Sequence, residues 1–439
     1  MARPPMMHLE KTLGLLEKVV ATSPADFTEI LWIEQRNCQA TTSPRRSQGE
    51  EITSGTLVAT VQERGRFGMH RTDSLSPSHL QDALRHALAQ AKVSVATHTK
   101  EAKGRGKSPK IPRELLFDPN LAHLEGDRAR ELLGELVERH ERAHLDWIEG
   151  RVAIANSQGL RKKARATQAT LFVTSGRGAE AGTARASARS LKGLEAPNLM
   201  RRARQRRATP GVTTSPERAA PGSRRLVFSP EAAASLLEEW CRIGFLPLPE
   251  LEGKSFHEHH EGRAIFSPWL NLVDDAGAEG KLPFPFDLRG RNKRARTVVT
   301  AGVPQPLDGL PQNYASSQGL PEELALQHLS LQPGDSGEED LLAMAEDGLW
   351  IGSIQRIGIH DPVGLGCHAQ LRGLRRIHRG RLAEVLPDRE WETNLMRVLA
   401  GIQSLSNEVT CRASRGSFLG GFTAPSFMTL PQENPTSSS

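Results

Sequence analysis

Metal centres and hydrolytic sites are built from histidine, cysteine and carboxylate side chains, and in this chain those groups gather at only a few places. Residues 257–260 read His-Glu-His-His. On a strand, His257 and His259 would share one side and His260 would take the other, so a two-ligand arrangement is geometrically available; the same residues also read as a polar surface loop. A looser group runs from His360 to His368 with Asp361 and Cys367 between, and reads as a glycine-rich loop. Cys38, Cys241, Cys367 and Cys411 form no CxxC pair and no dense framework, which argues against a zinc ribbon or disulfide scaffold and for a reducing compartment. There is no GxSxG elbow, no P-loop and no GxGxxG placed between a strand and a helix; Gly176-Arg177-Gly178 reads as a turn.

Charge is the second chemical feature. The chain of 439 residues carries a net +6. Residues 200–225 hold eight arginines (Arg201, Arg202, Arg204, Arg206, Arg207, Arg218, Arg224, Arg225) against the single acid Glu217, so this one segment contains the whole excess. It reads either as a solvated, charged helix face or as a contact for an acidic partner: another subunit, an acidic peptide or nucleic acid. Aromatics make up 5% of the chain and Tyr314 is the one tyrosine, which gives little support for stacking on single strands.

The elements that must position these groups define an α+β protein. Strand-like runs at 28–34, 56–62 and 67–69 surround the turn at 63–66, and a helix capped by Ser76 or Ser78 follows, with Leu80, Leu84, Ala87, Leu88 and Ala91 at helical spacing. A second helical pattern spans 126–143, and strands at 147–155, 166–174 and 183–190 suggest an antiparallel meander. After the arginine segment, Ser229 and Pro230 open a helix to about Trp240. Short apolar runs at 269–273, 297–299, 349–354 and 395–402 then suggest a β-rich domain, with one helix at 338–345. The expected organisation is an N-terminal α+β module (1–97), a basic linker (98–113), a middle antiparallel region packing with the first module (114–199), an Arg-rich connector (200–225) and a β-rich C-terminal domain (226–434). No apolar run is long enough for a membrane span and the N-terminus lacks the apolar core of a signal peptide, so a cytoplasmic protein is expected.

The order of these elements, with the pieces Gly65-Arg66-Phe67-Gly68, residues 152–159 (VAIANSQG), residues 186–191, residues 228–234 (FSPEAAA), Gly253-Lys254-Ser255-Phe256, residues 267–275 (SPWLNLVDD), Pro285-Phe286-Asp287, residues 331–335 and residues 347–351, resembles the TldD/PmbA family, and within it the PmbA (TldE) branch. Each piece is weak; their colinearity carries the resemblance. It implies an α+β N-terminal region and a β-rich C-terminal domain contributing to dimer contacts. It also implies a heterodimer: a TldD-type subunit whose HExxxH helix and later cysteine hold zinc, and a PmbA-type subunit that works with it on unfolded or leader-type peptides. Between residues 303 and 331, Pro304, Pro306, Pro311 and Pro321 break up a stretch that is shorter than in the family.

Zinc held by two imidazoles on one helix face leaves a position open for the attacking water, with a carboxylate beside it as base. Laid on the family, the helix 236–244 puts Glu239 where the base would stand, while Glu238 and Ile243 replace the two histidines. Isoleucine cannot bind a metal, and a lone helix carboxylate is ordinarily a solvated charge. Cys411 stands where the family's cysteine is expected, and otherwise reads as a buried thiol. The family also makes 257–260 a polar connector. The expectation is a chain with no metal or catalytic residue of its own, zinc in a partner subunit, Arg201, Arg202, Arg204, Arg206 and Arg207 as a contact for partner or acidic substrate, and a nucleic-acid-associated binding protein of the gyrase-modulator type as the alternative.

Overall fold

The structure, a computed structural model, describes residues 8–42, 51–94, 110–207, 224–245, 256–278, 280–307, 326–361, 363–415 and 417–431. The linker expected at 98–113, apart from residues 110–113, lies outside them, as do Gly253-Lys254-Ser255, Pro311, Tyr314, Pro321 and most of the connector beyond Arg207.

The first half runs α1 (Leu9–Ala21), β1 (Phe27–Thr41), β2 (Glu51–Glu63), β3 (Arg66–Thr72), α2 (Pro77–Val93), α3 (Pro119–Ala122), α4 (Gly126–Leu136), β4 (Glu141–Asn156), β5 (Arg161–Ser175), β6 (Gly182–Ala188) and α5 (Ala196–Gln205). Its six strands form one antiparallel sheet in the order β3-β2-β1-β4-β5-β6. Because β1 lies between β2 and β4, the expected first module and middle region share a single sheet. The β2–β3 hairpin closes on Arg64 (φ 50°) and Gly65 (φ 74°), the left-handed pair that matches the twist of the strands. At Gly68 an added Cβ would sit 1.9 Å from the Ala87 carbonyl oxygen, so α2 rests directly on β3.

Alternation along β1 sends Ile30 and Trp32 toward Leu16, Leu80 and Leu84 of the helices, and Leu31 and Ile33 toward Phe284, Phe286 and Phe418 of the second half. The sheet is therefore apolar on both faces, with helices on one and the C-terminal half on the other. The helix expected at 126–143 stops at Leu136, because His140 (φ 72°) turns the chain and Ala143, Leu145 and Trp147 then alternate inward as a strand. Helix α1 was not foreseen; Leu13, Leu16, Val19 and Val20 bury its inner face.

The second half contains β7 (Leu226–Phe228), α6 (Pro230–Ile243), α7 (Phe256–His259), β8 (Leu272–Asp274), β9 (Arg296–Thr300), β10 (Val303–Pro304), β11 (Leu329–Leu331), α8 (Glu338–Ala345), β12 (Leu349–Ile351), β13 (Ser353–Asp361), β14 (Gly366–Arg372), β15 (Arg375–His378), β16 (Arg381–Val385), β17 (Arg389–Asn394), α9 (Leu395–Ala400), β18 (Ile402–Ala413) and β19 (Gly421–Thr429). A mixed sheet follows the order β10-β9-β8-β11-β19-β7-β12-β15-β16, with β18 paired to β19, and β13-β14-β17 form a second sheet. The run at 395–402, expected as a strand, begins as α9: the Asn394 side chain accepts from the Arg397 amide at 3.0 Å, and Leu395, Val398 and Leu399 turn one helical face inward. The largest core wraps α6, with Phe228, Trp240, Phe266, Trp391 and Phe427 among its members.

Candidate functional site

Helix α6 is set by local signals. Ser229 Oγ accepts from the Ala232 amide at 3.1 Å and donates to the Gly352 carbonyl at 2.6 Å, and Pro230 fills the first turn. Every residue from Ala232 to Cys241 is buried, because strands cover the helix on more than one side. This overturns the expectation that Glu238 is a solvated charge. Glu238 is 0% exposed; Oε2 accepts from Arg412 Nη1 at 2.8 Å and lies 3.5 Å from Arg415 Nε, while Oε1 accepts from Ser414 Oγ at 3.1 Å and from the Arg415 amide at 2.8 Å. Both oxygens are thus held by donors, as burying a carboxylate demands. Glu239 is also buried and pairs with Arg242 at 3.3 Å; burial pushes its carboxyl up, against the pull of Arg242 and Arg415. Ile243 ends the helix, half-buried.

Cys411 is buried on β18, with its thiol among Leu282, Ala413 and Thr423. Burial pushes that thiol up to about 11, so it is protonated at neutral pH. Arg412, the next residue, points to Glu238; neighbours on a strand face opposite ways, so the thiol is turned from the α6 carboxylate. The groups that do meet Glu238 (Arg412, Ser414 and Arg415) are one to four residues beyond the cysteine that the sequence singles out.

The other candidates separate. Residues 256–259 form a helical turn instead of a strand or a surface loop, so His257 and His259 do not share a side. His257 is fully buried against Phe245, with Nε2 donating to the Gln305 carbonyl at 2.9 Å; burial lowers its pKa and keeps it neutral. His259 is exposed, and His260 lies against the Phe256 ring. His360 and His368 stand on paired strands, not in a glycine-rich loop, with exposed rings stacked at 6.1 Å, while Cys367 faces the core.

Four of the five arginines at 201–207 have partners within the chain. Arg201 and Arg202 reach Glu408 at 3.2 and 2.8 Å, and Arg204 reaches Glu138 and Glu141, both at 2.8 Å. Arg206 is buried between Glu231 (3.1 Å) and Glu338 (2.8 Å), its guanidinium over the Trp350 ring. Arg207 is exposed. Further along, Arg224 and Arg225 donate to the carbonyls of Asp347 and Met344. α5 therefore fastens the first half to β18 and α8, and much of the basic excess is neutralised inside the molecule.

Residues 221–430 match the family description "PmbA/TldA metallopeptidase C-terminal domain". These residues carry the C-terminal domain of the TldD/PmbA family. The fold is similar to that of TldE from Thermococcus kodakarensis (TM-score 0.76, 16% identity, 97% of this chain and 99% of that one). Two structures described as modulators of DNA gyrase are also similar: one from Bacteroides thetaiotaomicron (0.71, 15%, covering 96% and 97%) and one from Thermotoga maritima (0.69, 16%, covering 96% and 99%). No curated protein matches the sequence. The α+β class expected from the sequence is the class of the TldE fold. Tested against the zinc that this family implies, the residues at the ligand positions do not fit: Glu238 is saturated by donors, Ile243 has no lone pair, and the Cys411 thiol turns away.

Proposed function

We propose that this chain is the PmbA/TldE-like, non-catalytic subunit of a peptidase complex, working in the cytoplasm with a TldD-like subunit that carries the HExxxH helix and its zinc, on unfolded or leader-type peptides. The observation that carries the reading is the state of Glu238. A metal ligand needs a lone pair facing an open cavity, and both oxygens here face a guanidinium, a hydroxyl and an amide. The Glu238–Arg412 pair puts a protein cation where a metal-binding relative would have an ion, and guanidinium neither polarises a water to hydroxide nor leaves an open coordination position. Support comes also from the absence of any HExxxH in the 439 residues and from the TldE-like fold over 97% of the chain. No helix among the described residues is long and apolar enough to cross a membrane.

Affinity purification from the native cell tests the reading. It predicts a co-purifying HExxxH protein, peptide cleavage by the pair, and no cleavage by this chain alone. A single chain that held one zinc per subunit and cleaved an unfolded peptide, with activity lost in Cys411→Ala, would overturn it.

A further inference from the structure

The carboxylates on α6 are outnumbered. Around Glu238 and Glu239 stand Arg242 from the same helix and Arg412 and Arg415 from the end of β18, and Arg185 from β6 of the first half lies near enough to Arg412 to repel its charge. Glu231 of α6 also stands here, accepting from the Arg185 amide at 2.9 Å, so four guanidiniums face three carboxylates, one more positive charge than negative, gathered where the two halves meet. Arg185 and Arg415 both raise the cost of the charge on Arg412, whose pKa is lowered first by its burial.

The surplus is directed. Arg415 is exposed, with a side chain 42% accessible. The Arg185 Nε–H is buried with no hydrogen-bond partner among the described residues, a donor left over in a site otherwise well satisfied. Arg185 pairs across the sheet with Phe172, whose side chain shares its face and is 40% exposed, an unusual placement for a large aromatic ring.

We propose that Arg185, Arg412 and Arg415 form a receptor for a peptide carboxylate, with the Phe172 ring as the apolar surface beside it. A guanidinium fork matches the two oxygens of a carboxylate, and Arg412 already holds one oxygen of Glu238 at 2.8 Å. A second carboxylate entering over the exposed Arg415 would neutralise the surplus. The inference rests on the peptide-handling reading above for the class of ligand, but it concerns this chain alone. Two sources of carboxylate share the chemistry, the C-terminus of a peptide and an acidic side chain within it.

The experiment is fluorescence anisotropy with an N-terminally labelled, unstructured ten-residue peptide of Gly, Ala, Ser and Leu. It is used as the free acid, as the C-terminal amide, and as the amide with one internal Glu. The free acid should bind the intact chain on the order of tenfold or more tighter than the amide, the scale of one charge-assisted bond. Arg185→Gln and Arg415→Gln should each shrink that difference to about threefold or less, with the circular dichroism of the folded chain unchanged. If only the internal-Glu peptide gains, the receptor stands and its ligand is an acidic side chain. Equal binding of all three peptides to the wild-type chain overturns the proposal, as does a difference that survives both variants. Failure to find an HExxxH partner would sink the subunit reading and leave this measurement untouched.

Discussion

Replacing Arg412 by methionine removes the guanidinium that lies 2.8 Å from a carboxylate of zero exposure, while keeping most of the side-chain volume. Ser414 and the Arg415 amide would still reach Glu238, but the nearest full positive charge would then be Arg415 at 3.5 Å, half in solvent. Breaking one side of a buried pair costs about 3–5 kcal/mol because an uncompensated charge is left behind. A unit of 150–250 residues loses roughly 2–4 °C per kcal/mol, so the melting temperature of the C-terminal half should fall by about 10 °C. Glu238→Gln with Arg412→Met leaves a neutral amide facing a thioether, and should restore much of the loss. The assay is a double-mutant cycle by urea unfolding, and the coupling between the two positions should exceed about 2 kcal/mol. An Arg412→Met cost under about 1 kcal/mol, or effects that simply add, would refute the account of Glu238 as a carboxylate held by guanidinium.

Two further predictions follow from buried charge. Glu29 on β1 is buried at the junction with the 287–291 segment, and desolvation pushes its carboxyl up to about 7 against the pull of Arg289 at 3.7 Å. A raised carboxyl pKa means that the folded chain binds the proton more tightly than the unfolded one. Its contribution is complete below about pH 4.5 and is lost as pH rises toward 7, by up to about 3 kcal/mol. The wild type should therefore be less stable at pH 8 than at pH 5.5 by more than Glu29→Gln is, as measured by denaturant midpoints. Among the arginines of α5 and its end, Arg206→Met should cost about 3–5 kcal/mol because it strands Glu231 and Glu338, whereas Arg201→Ala, at a half-exposed pair, should cost less than about 1 kcal/mol. Similar losses for the two would contradict the division between a buried anchor and a surface pair.

The parts legible in the sequence were those with local causes. Ser76, Ser229 and the Arg64-Gly65 turn fix their elements through capping and positive φ, and each lies where the pattern put it. Where tertiary packing decides, pattern reading failed. Leu395 to Ile402 is apolar enough for a strand, and only the Asn394 cap and the core beneath turn its first six residues into a helix. Glu238 was read as solvated because nothing in residues 230–243 says that strands will cover the helix on more than one side. Its partners lie 174 to 177 residues away in the chain. Arg412, Ser414 and Arg415 carried one faint signal, two cations in an otherwise small and glycine-rich stretch. Arg185 carried none, since a basic residue on a strand with one open face is ordinary.

The position of Arg185 depends on how the halves are joined, and a second arginine settles that. Arg189 leaves the end of β6 fully buried and donates to four carbonyls: Thr167 of its own half at 3.2 Å, and Phe418, Leu282 and Pro283 of the other at 2.8, 3.0 and 2.7 Å. Burial pulls its pKa down to about 9, still high enough to keep it charged at neutral pH. A buried cation held by carbonyl dipoles alone has no carboxylate to accompany it out of the interface, so separating the halves would expose three carbonyls and a guanidinium together. The same short strand that leads to Arg189 carries Arg185 close enough to repel the charge of Arg412, and Ser187 between them accepts from the Ala413 amide at 3.1 Å. Arg185 and Ser187 of β6, with Arg189 just past its end, thus set the spacing between Arg185 and the β18 arginines. A receptor built across a junction so fastened is preformed, and it loses little affinity to ordering when a ligand arrives.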